Sequence, residues 1–123
     1  MIGHLIDVNS QAIQSTDFRR VLDTGEFTQV VIMSINPGED IGSEIHADTD
    51  QVLYLVKGEG KVVLNKEEAP FKVGDVVLVH AGTEHNFITT GSEPMKIITM
   101  YSPPHHPPET IHETKEEAQE AKY

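Results

Sequence analysis

The sequence predicts an all-β domain, an antiparallel sandwich or barrel, on three observations. Eight short segments rich in Val, Ile, Thr and aromatic residues lie between positions 19 and 102. Clusters of Gly, Pro, Asn and Asp, the residues of tight turns, separate them. The segments recur about every 8–12 residues with no helical periodicity between them, which is the spacing of an antiparallel fold rather than of βαβ units.

The segments are RRVLDT (19–24), FTQVVIMSI (27–35), QVLYLVK (51–57), KVVLN (61–65), APFKV (69–73), DVVLV (75–79), HNFITT (85–90) and MKIITMY (95–101). TGE at 24–26 turns the first into the second, and NPGED at 36–40 ends the second. GEG (58–60), NKEE (65–68), KVGD (72–75), HAGTE (80–84) and TGSEP (90–94) punctuate the rest. QVLYLVK is apolar at both odd and even positions, which predicts a strand buried on both faces. After Tyr101 the composition changes: SPPHHPPE has four prolines in eight residues and is expected to run extended along the surface. Thr114 followed by Glu117 forms a capping box ahead of KEEAQEAK, a short exposed helix. The organisation expected is one barrel domain over 1–102, then a Pro/His-rich extended segment and short C-terminal helix over 103–123.

The bulk composition narrows the function. A chain of 123 residues can bury one core. With no cysteine, disulfides, thiolate metal sites and cysteine nucleophiles are excluded. The net charge of −11 argues against nucleic acid and anionic membranes as partners, because both are bound through clustered Lys and Arg. MIGHLIDVNS has neither the basic start nor the apolar run of a secretory signal, and no window has the roughly 20 apolar residues of a membrane span, so a cytoplasmic location is expected.

Two glycine-anchored spacings carry the chemistry. Five residues after Gly38 comes Glu44, then Ile45 and His46; four more lead to Gln51, and six more to Gly58. Five residues after Gly74 comes His80-Ala81-Gly82, then two residues, His85, three residues and Thr89. Residues 44 and 46 alternate onto one face of a strand, Gln51 begins the next strand, and His85 follows a turn into another. Four groups from three strands can thus converge inside a barrel. Two imidazoles, a carboxylate and an amide oxygen suit one divalent transition metal, whether Fe, Mn, Zn, Ni or Co; Glu44, His46 and His85 alone match the two-His-one-carboxylate set of open Fe(II) sites. Other candidates are weaker. Asp48 and Asp50 lack the glycine and distal Glu of a calcium loop. His105, His106 and His112 read as an exposed cluster, Tyr54 and Tyr101 as core or interface residues, and Arg19 and Arg20 either as contacts for an anionic substrate or as flanks of an edge strand.

These spacings resemble the two motifs of the cupin superfamily, Gly-x5-His-x-His-x3,4-Glu-x6-Gly and Gly-x5-Pro-x-Gly-x2-His-x3-Asn, over most of residues 36 to 102. The letters depart at four places: Glu44 stands for the first His, Gln51 for Glu, His80 for Pro and Thr89 for Asn. HADTDQVLYLVKGEGKVVLN, GDVVLVHAGTEHNFITTG and the tail YSPPHHPPETIHETKEEA look like small single-domain bacterial cupins often labelled sugar-phosphate-isomerase-like. The resemblance implies a double-stranded β-helix, or jelly-roll barrel, with a short helical tail. It implies metal ligation by Glu44, His46, Gln51 and His85, with Glu44 or His80 as the candidate base, although a ligated Glu44 would be a poor one. His80, where the motif has Pro, reads either as the catalytic acid or base or as a partly buried structural histidine. The activity implied is isomerisation or tautomerisation of a small polyhydroxylated or keto compound, with the metal as Lewis acid. A non-haem Fe(II) dioxygenase and a non-enzymatic small-molecule-binding barrel are the alternatives. Small cupins commonly pair through N-terminal strands, and RRVLDT with FTQVVIMSI offers apolar edges, so a homodimer is expected.

Overall fold

The computed structural model describes residues 4 to 121. In chain order the elements are α1 (Val8–Gln14), β1 (Arg19–Thr24), β2 (Gln29–Ile35), β3 (Asp50–Lys57), β4 (Gly60–Leu64), β5 (Glu67–Phe71), β6 (Val76–Val79), β7 (His85–Thr89), β8 (Met95–Ser102), β9 (Ile111–His112) and α2 (Lys115–Glu120). All eight expected strands are present. They form two antiparallel sheets, one of six strands in the order β6-β3-β8-β2-β1-β9 and one in the order β5-β4-β7. Residues 40 and 44 bridge to Ile88 and His85, which carries a second extended segment along the free side of β7.

The core lies between the sheets, and strand alternation selects its members. Val31, Met33 and Ile35 of β2, Leu53 and Leu55 of β3, Met95, Ile97 and Tyr101 of β8, and Phe87 of β7 all point inward. Polarity varies along the barrel. Gln29, Tyr101, Gln51 and Val79 lie in register across four strands and are all buried, whereas two rungs further on the same strands present Met33, Ile97 and Leu55. One end of the interior is therefore a polar mouth and the remainder a hydrocarbon plug. Close backbone approach closes the plug end: a side chain on Gly60 would run into the Ile88 carbonyl and the Met95 sulfur, and Gly58 sits at φ +93 against the Pro94 carbonyl.

Two sequence expectations change here. QVLYLVK buries only one face: Gln51, Leu53 and Leu55 point inward, while Val52 and Val56 are half-buried and Tyr54 is 36% exposed. The reason is that the outer face is covered only by α1, whose Ala12 packs on Ile32 and Ile98. Val76 and Leu78 on the edge strand β6 stay exposed beside Tyr54. Of the apolar edges, β2 is covered within the chain, lying between β1 and β8, whereas the outer edge of β1 is paired with β9 only at Arg19 and Arg20.

Helix α1 carries no cap side chain and was not evident in the sequence. It is held by Lys96, whose buried ammonium donates to the Ser15 carbonyl (2.6 Å) and to Ser34 Oγ (3.0 Å). Helix α2 begins as expected, the Glu117 amide donating to Thr114 Oγ1 at 3.1 Å. An ion pair from Lys115 to Asp40 ties it to the loop after β2. Among the described residues no helix is long and apolar enough to cross a membrane.

Candidate metal centre

The polar mouth is built from three stretches of chain. Glu44 and His85 exchange backbone hydrogen bonds, each amide donating to the other's carbonyl at 2.9 Å, so their side chains emerge side by side. His46, two residues on, projects to the same side, and its carbonyl accepts from the Gly82 amide (2.8 Å), which secures the turn leading to His85. One potential ligand atom from each of Glu44, His46 and His85 lies within 4.8 Å of the other two. Spacing in the sequence had proposed this trio, and the fold brings it together.

The local bonding fits a cation. Nδ1 of His85 donates to the Thr83 carbonyl at 2.9 Å, which leaves Nε2 as the nitrogen with a lone pair. Nε2 of His46 is buried and approaches Glu44 Oε2 at 3.0 Å, yet forms no aligned hydrogen bond. Gln51 is 3% exposed; its amide nitrogen donates to Thr99 Oγ1 (3.0 Å), while Oε1 is buried without a partner among the described residues. A buried acceptor left unpaired costs about 1–3 kcal/mol, so Gln51 Oε1, buried at the polar end of the barrel, argues for a further partner.

Protonation states point the same way. Burial pushes the Glu44 carboxyl up, but the close contact and charge of His46, with Arg19 and His85 behind it, hold it below the usual value. Burial lowers His85, opposed by its bond to Thr83. A carboxyl at Glu44 held towards its ionised form and an imidazole at His85 held towards its neutral form are the states metal ligation requires.

The remaining candidates distribute differently. His80 is exposed: Val79, the last residue of β6, points inward, so the next position faces out. It does not line the cleft at the mouth, and the acid–base role expected of it finds no support in this geometry. The tail histidines correct the expectation of an exposed cluster. His106 and His112 are buried, and His105 lines the cleft with its ring 4.2 Å from that of His46. Burial, then the charge of Arg19, drives His106 down to about 2. What places them is Gln29, fully buried on β2: its amide nitrogen donates to the His106 carbonyl (2.7 Å), and its oxygen accepts from the amides of His105 (3.2 Å) and His106 (3.0 Å). A glutamine at an inward position of an otherwise apolar strand was the one sequence signal for this docking.

These groups border an open cleft of about 420 Å³, walled by Arg19, Glu44, His46, His105 and His106 and flanked by α2 at Gln119.

Comparison with known proteins agrees with this architecture. Residues 31–101 match the family model of the Cupin domain. The chain is 40% identical over 120 residues to YrkC of Bacillus subtilis (strain 168), covering 93% of this chain and 64% of that protein. The chain therefore spans a little under two thirds of that relative's length. The crystal structure of BH2720 from Bacillus halodurans superposes with a TM-score of 0.95 at 38% identity, covering 97% of this chain and 95% of that one. A predicted oxalate decarboxylase from Thermotoga maritima superposes with a TM-score of 0.59 at 25% identity, covering 62% and 66% of the two chains. On its motif spacing, its two-sheet barrel and the match across residues 31–101, this chain belongs to the cupin family.

Proposed function

We propose that this protein is a metal-dependent enzyme that isomerises or tautomerises a small polyhydroxylated or keto compound. Glu44, His46 and His85 would hold the metal, with Gln51 as fourth ligand. The observation that carries the reading is the trio of ligand atoms within 4.8 Å of one another, two of whose members, Glu44 and His46, line an open cleft; the buried Gln51 Oε1 has no partner among the described residues. A divalent ion held there supplies Lewis acidity toward a substrate carbonyl.

The chain's own residues do the rest. The Thr83 carbonyl fixes the His85 tautomer, and Thr99 turns the Gln51 oxygen outward from their hydrogen bond. His105, on the cleft wall beside His46, is the side chain placed to take a proton from one substrate carbon and return it to the next. A second reading, a dioxygenase, draws support from the two-His-one-carboxylate composition of the trio.

The test is elemental analysis of protein purified without a tag and without oxygen. We expect near-stoichiometric transition metal, lost from Glu44→Ala and from His85→Ala while circular dichroism shows the fold retained. Full occupancy in both variants, or a wild-type protein unable to take up metal, would overturn the ligand assignment. Iron together with substrate-dependent oxygen uptake would favour the dioxygenase.

A further inference from the structure

We propose that Arg19 is an anion anchor of the cleft, and that the compound bound there carries a carboxylate held by its guanidinium. This deepens the reading above and rests on it for one point, that the bound compound also reaches the metal centre.

Arg19 is 5% exposed. A buried cation is normally matched by a carboxylate, because removing its hydration shell is otherwise costly. Arg19 has no ion pair with a carboxylate among the described residues. Its Nη1 donates to a neutral acceptor, His112 Nδ1, at a long 3.3 Å; its guanidinium carbon lies 5.3 Å from the centre of the Phe18 ring; and Nε is buried without a partner. The adjacent residue is an internal control. Arg20 faces outward, half-exposed, and binds Asp17 Oδ2 at 3.1 Å. Two consecutive arginines thus differ in the expected way except that the buried one lacks the counter-charge.

Its position explains what that counter-charge is for. Arg19 is inward-facing on β1, clamped in register between Met33 of β2 and His112 of β9, and it borders the same cleft as Glu44 and His46. Glu44 does not neutralise it: that carboxylate is engaged with His46 and faces the metal ligands. The Arg19 charge helps hold Glu44 low without forming an ion pair with it, and after burial it also holds His106 and His112 below their ordinary values. A guanidinium fork matches a carboxylate in two parallel hydrogen bonds, and Nε of Arg19 is a donor without a partner among the described residues. A phosphate dianion is the poorer fit, because among the described residues no lysine or second arginine lines the cleft and the chain carries a net charge of −11. The size of the cleft suits a small organic acid.

Acetate, as the minimal carboxylate, and pyruvate and glucuronate, as keto and polyhydroxylated carboxylates, are titrated into ¹⁵N-labelled protein at constant ionic strength. The Arg19 Nε–H resonance is followed in proteins that keep Arg19, backbone amide resonances of the cleft residues give the dissociation constant in every variant, and metal content is measured on the same samples. We expect a saturable shift with the carboxylates and none with acetamide or glucose. The dissociation constant should rise at least about tenfold in Arg19→Gln and in the charge-keeping Arg19→Lys, and stay unchanged in Arg20→Gln. Absence of a saturable shift in the wild-type protein would overturn the proposal, as would an equal response to acetamide, a response to inorganic phosphate alone, or an unchanged constant in Arg19→Gln. Metal content separates the two readings: a metal-free protein whose Arg19 still binds carboxylates refutes the metal centre and keeps the anchor, and a metal-loaded protein whose Arg19 does not respond does the reverse.

Discussion

Replacing Gln29 with leucine should release the tail from the barrel without unfolding the barrel. Leucine nearly matches glutamine in volume, so the core keeps its packing, but the side chain can no longer donate to the His106 carbonyl or accept from the His105 and His106 amides. The amide and carbonyl of His106 are both buried where they meet Gln29. Stranding two such groups costs about 1–3 kcal/mol each, or about 2–6 kcal/mol together, of which about 3 kcal/mol is a conservative value. The chain can avoid that cost by letting the tail peel away, so the loss appears as local opening. Hydrogen exchange reads it directly. The Val21 amide donates to the Thr110 carbonyl (2.9 Å) and the Phe18 amide to the Glu113 carbonyl (3.1 Å), which makes both remote reporters of docking. Their exchange should accelerate roughly 100-fold, the equivalent of about 3 kcal/mol, while amides of β3 and β8 are unchanged. Unaltered exchange at Val21 and Phe18, or equal acceleration throughout the sheets, would refute the view that Gln29 is the anchor of a separately opening tail.

Acid should weaken the metal-free protein well above the carboxylate range. Burial, then Arg19, holds His106 to about 2, below its unfolded value, so from pH about 6.5 downward the unfolded chain binds a proton that the folded chain does not. That stabilisation is full above pH 6.5 and is lost on acidification, by roughly 2 kcal/mol at pH 5 from this group alone, with His85, His105 and His112 shifted the same way. Urea midpoints that match at pH 7 and pH 5 would contradict this. Asp40, held low by its bond from Asn86 and its pairing with Lys115, should extend the loss only below pH about 4. Thr99→Val removes the group that orients Gln51 and should weaken metal binding about 10- to 100-fold in chelator competition; an unchanged affinity would exclude Gln51 from the ligand set or Thr99 from orienting it. Gly60→Ala should lower the melting temperature by an amount equivalent to about 2 kcal/mol or more, because its methyl would meet the Ile88 carbonyl, which is backbone and cannot swing away.

What the sequence determined by itself were the features written in short-range chemistry. β-Branched runs between Gly- and Pro-rich turns placed eight strands to within two residues at nearly every end, and Thr114 with Glu117 marked the start of α2. The grouping of Glu44, His46 and His85, which could hold a metal, was legible for a related reason: glycine-anchored spacing sets which residues begin or end adjacent strands, and period-two alternation sends Glu44 and His46 to one side. Alternation also bears on His80, since an inward Val79 implies an outward neighbour, but the family's spacing drew attention to the position and not to its direction.

Only the tertiary structure decided what depends on partners distant in the chain. Helix α1 has no cap and a single buried residue, and forms because Ala12 finds Ile32 and Ile98 on the sheet and Lys96 reaches the Ser15 carbonyl. Strand β9 is two residues long and exists because Ile111 and His112 meet β1 more than ninety positions earlier. The same long-range pairing turns a proline-rich stretch with no propensity of its own into a docked strap that brings His105 to the cleft, and it buries Arg19 without an ion-paired carboxylate among the described residues. Propensity acts over neighbours, whereas burial of a charge depends on what the whole fold sets around it.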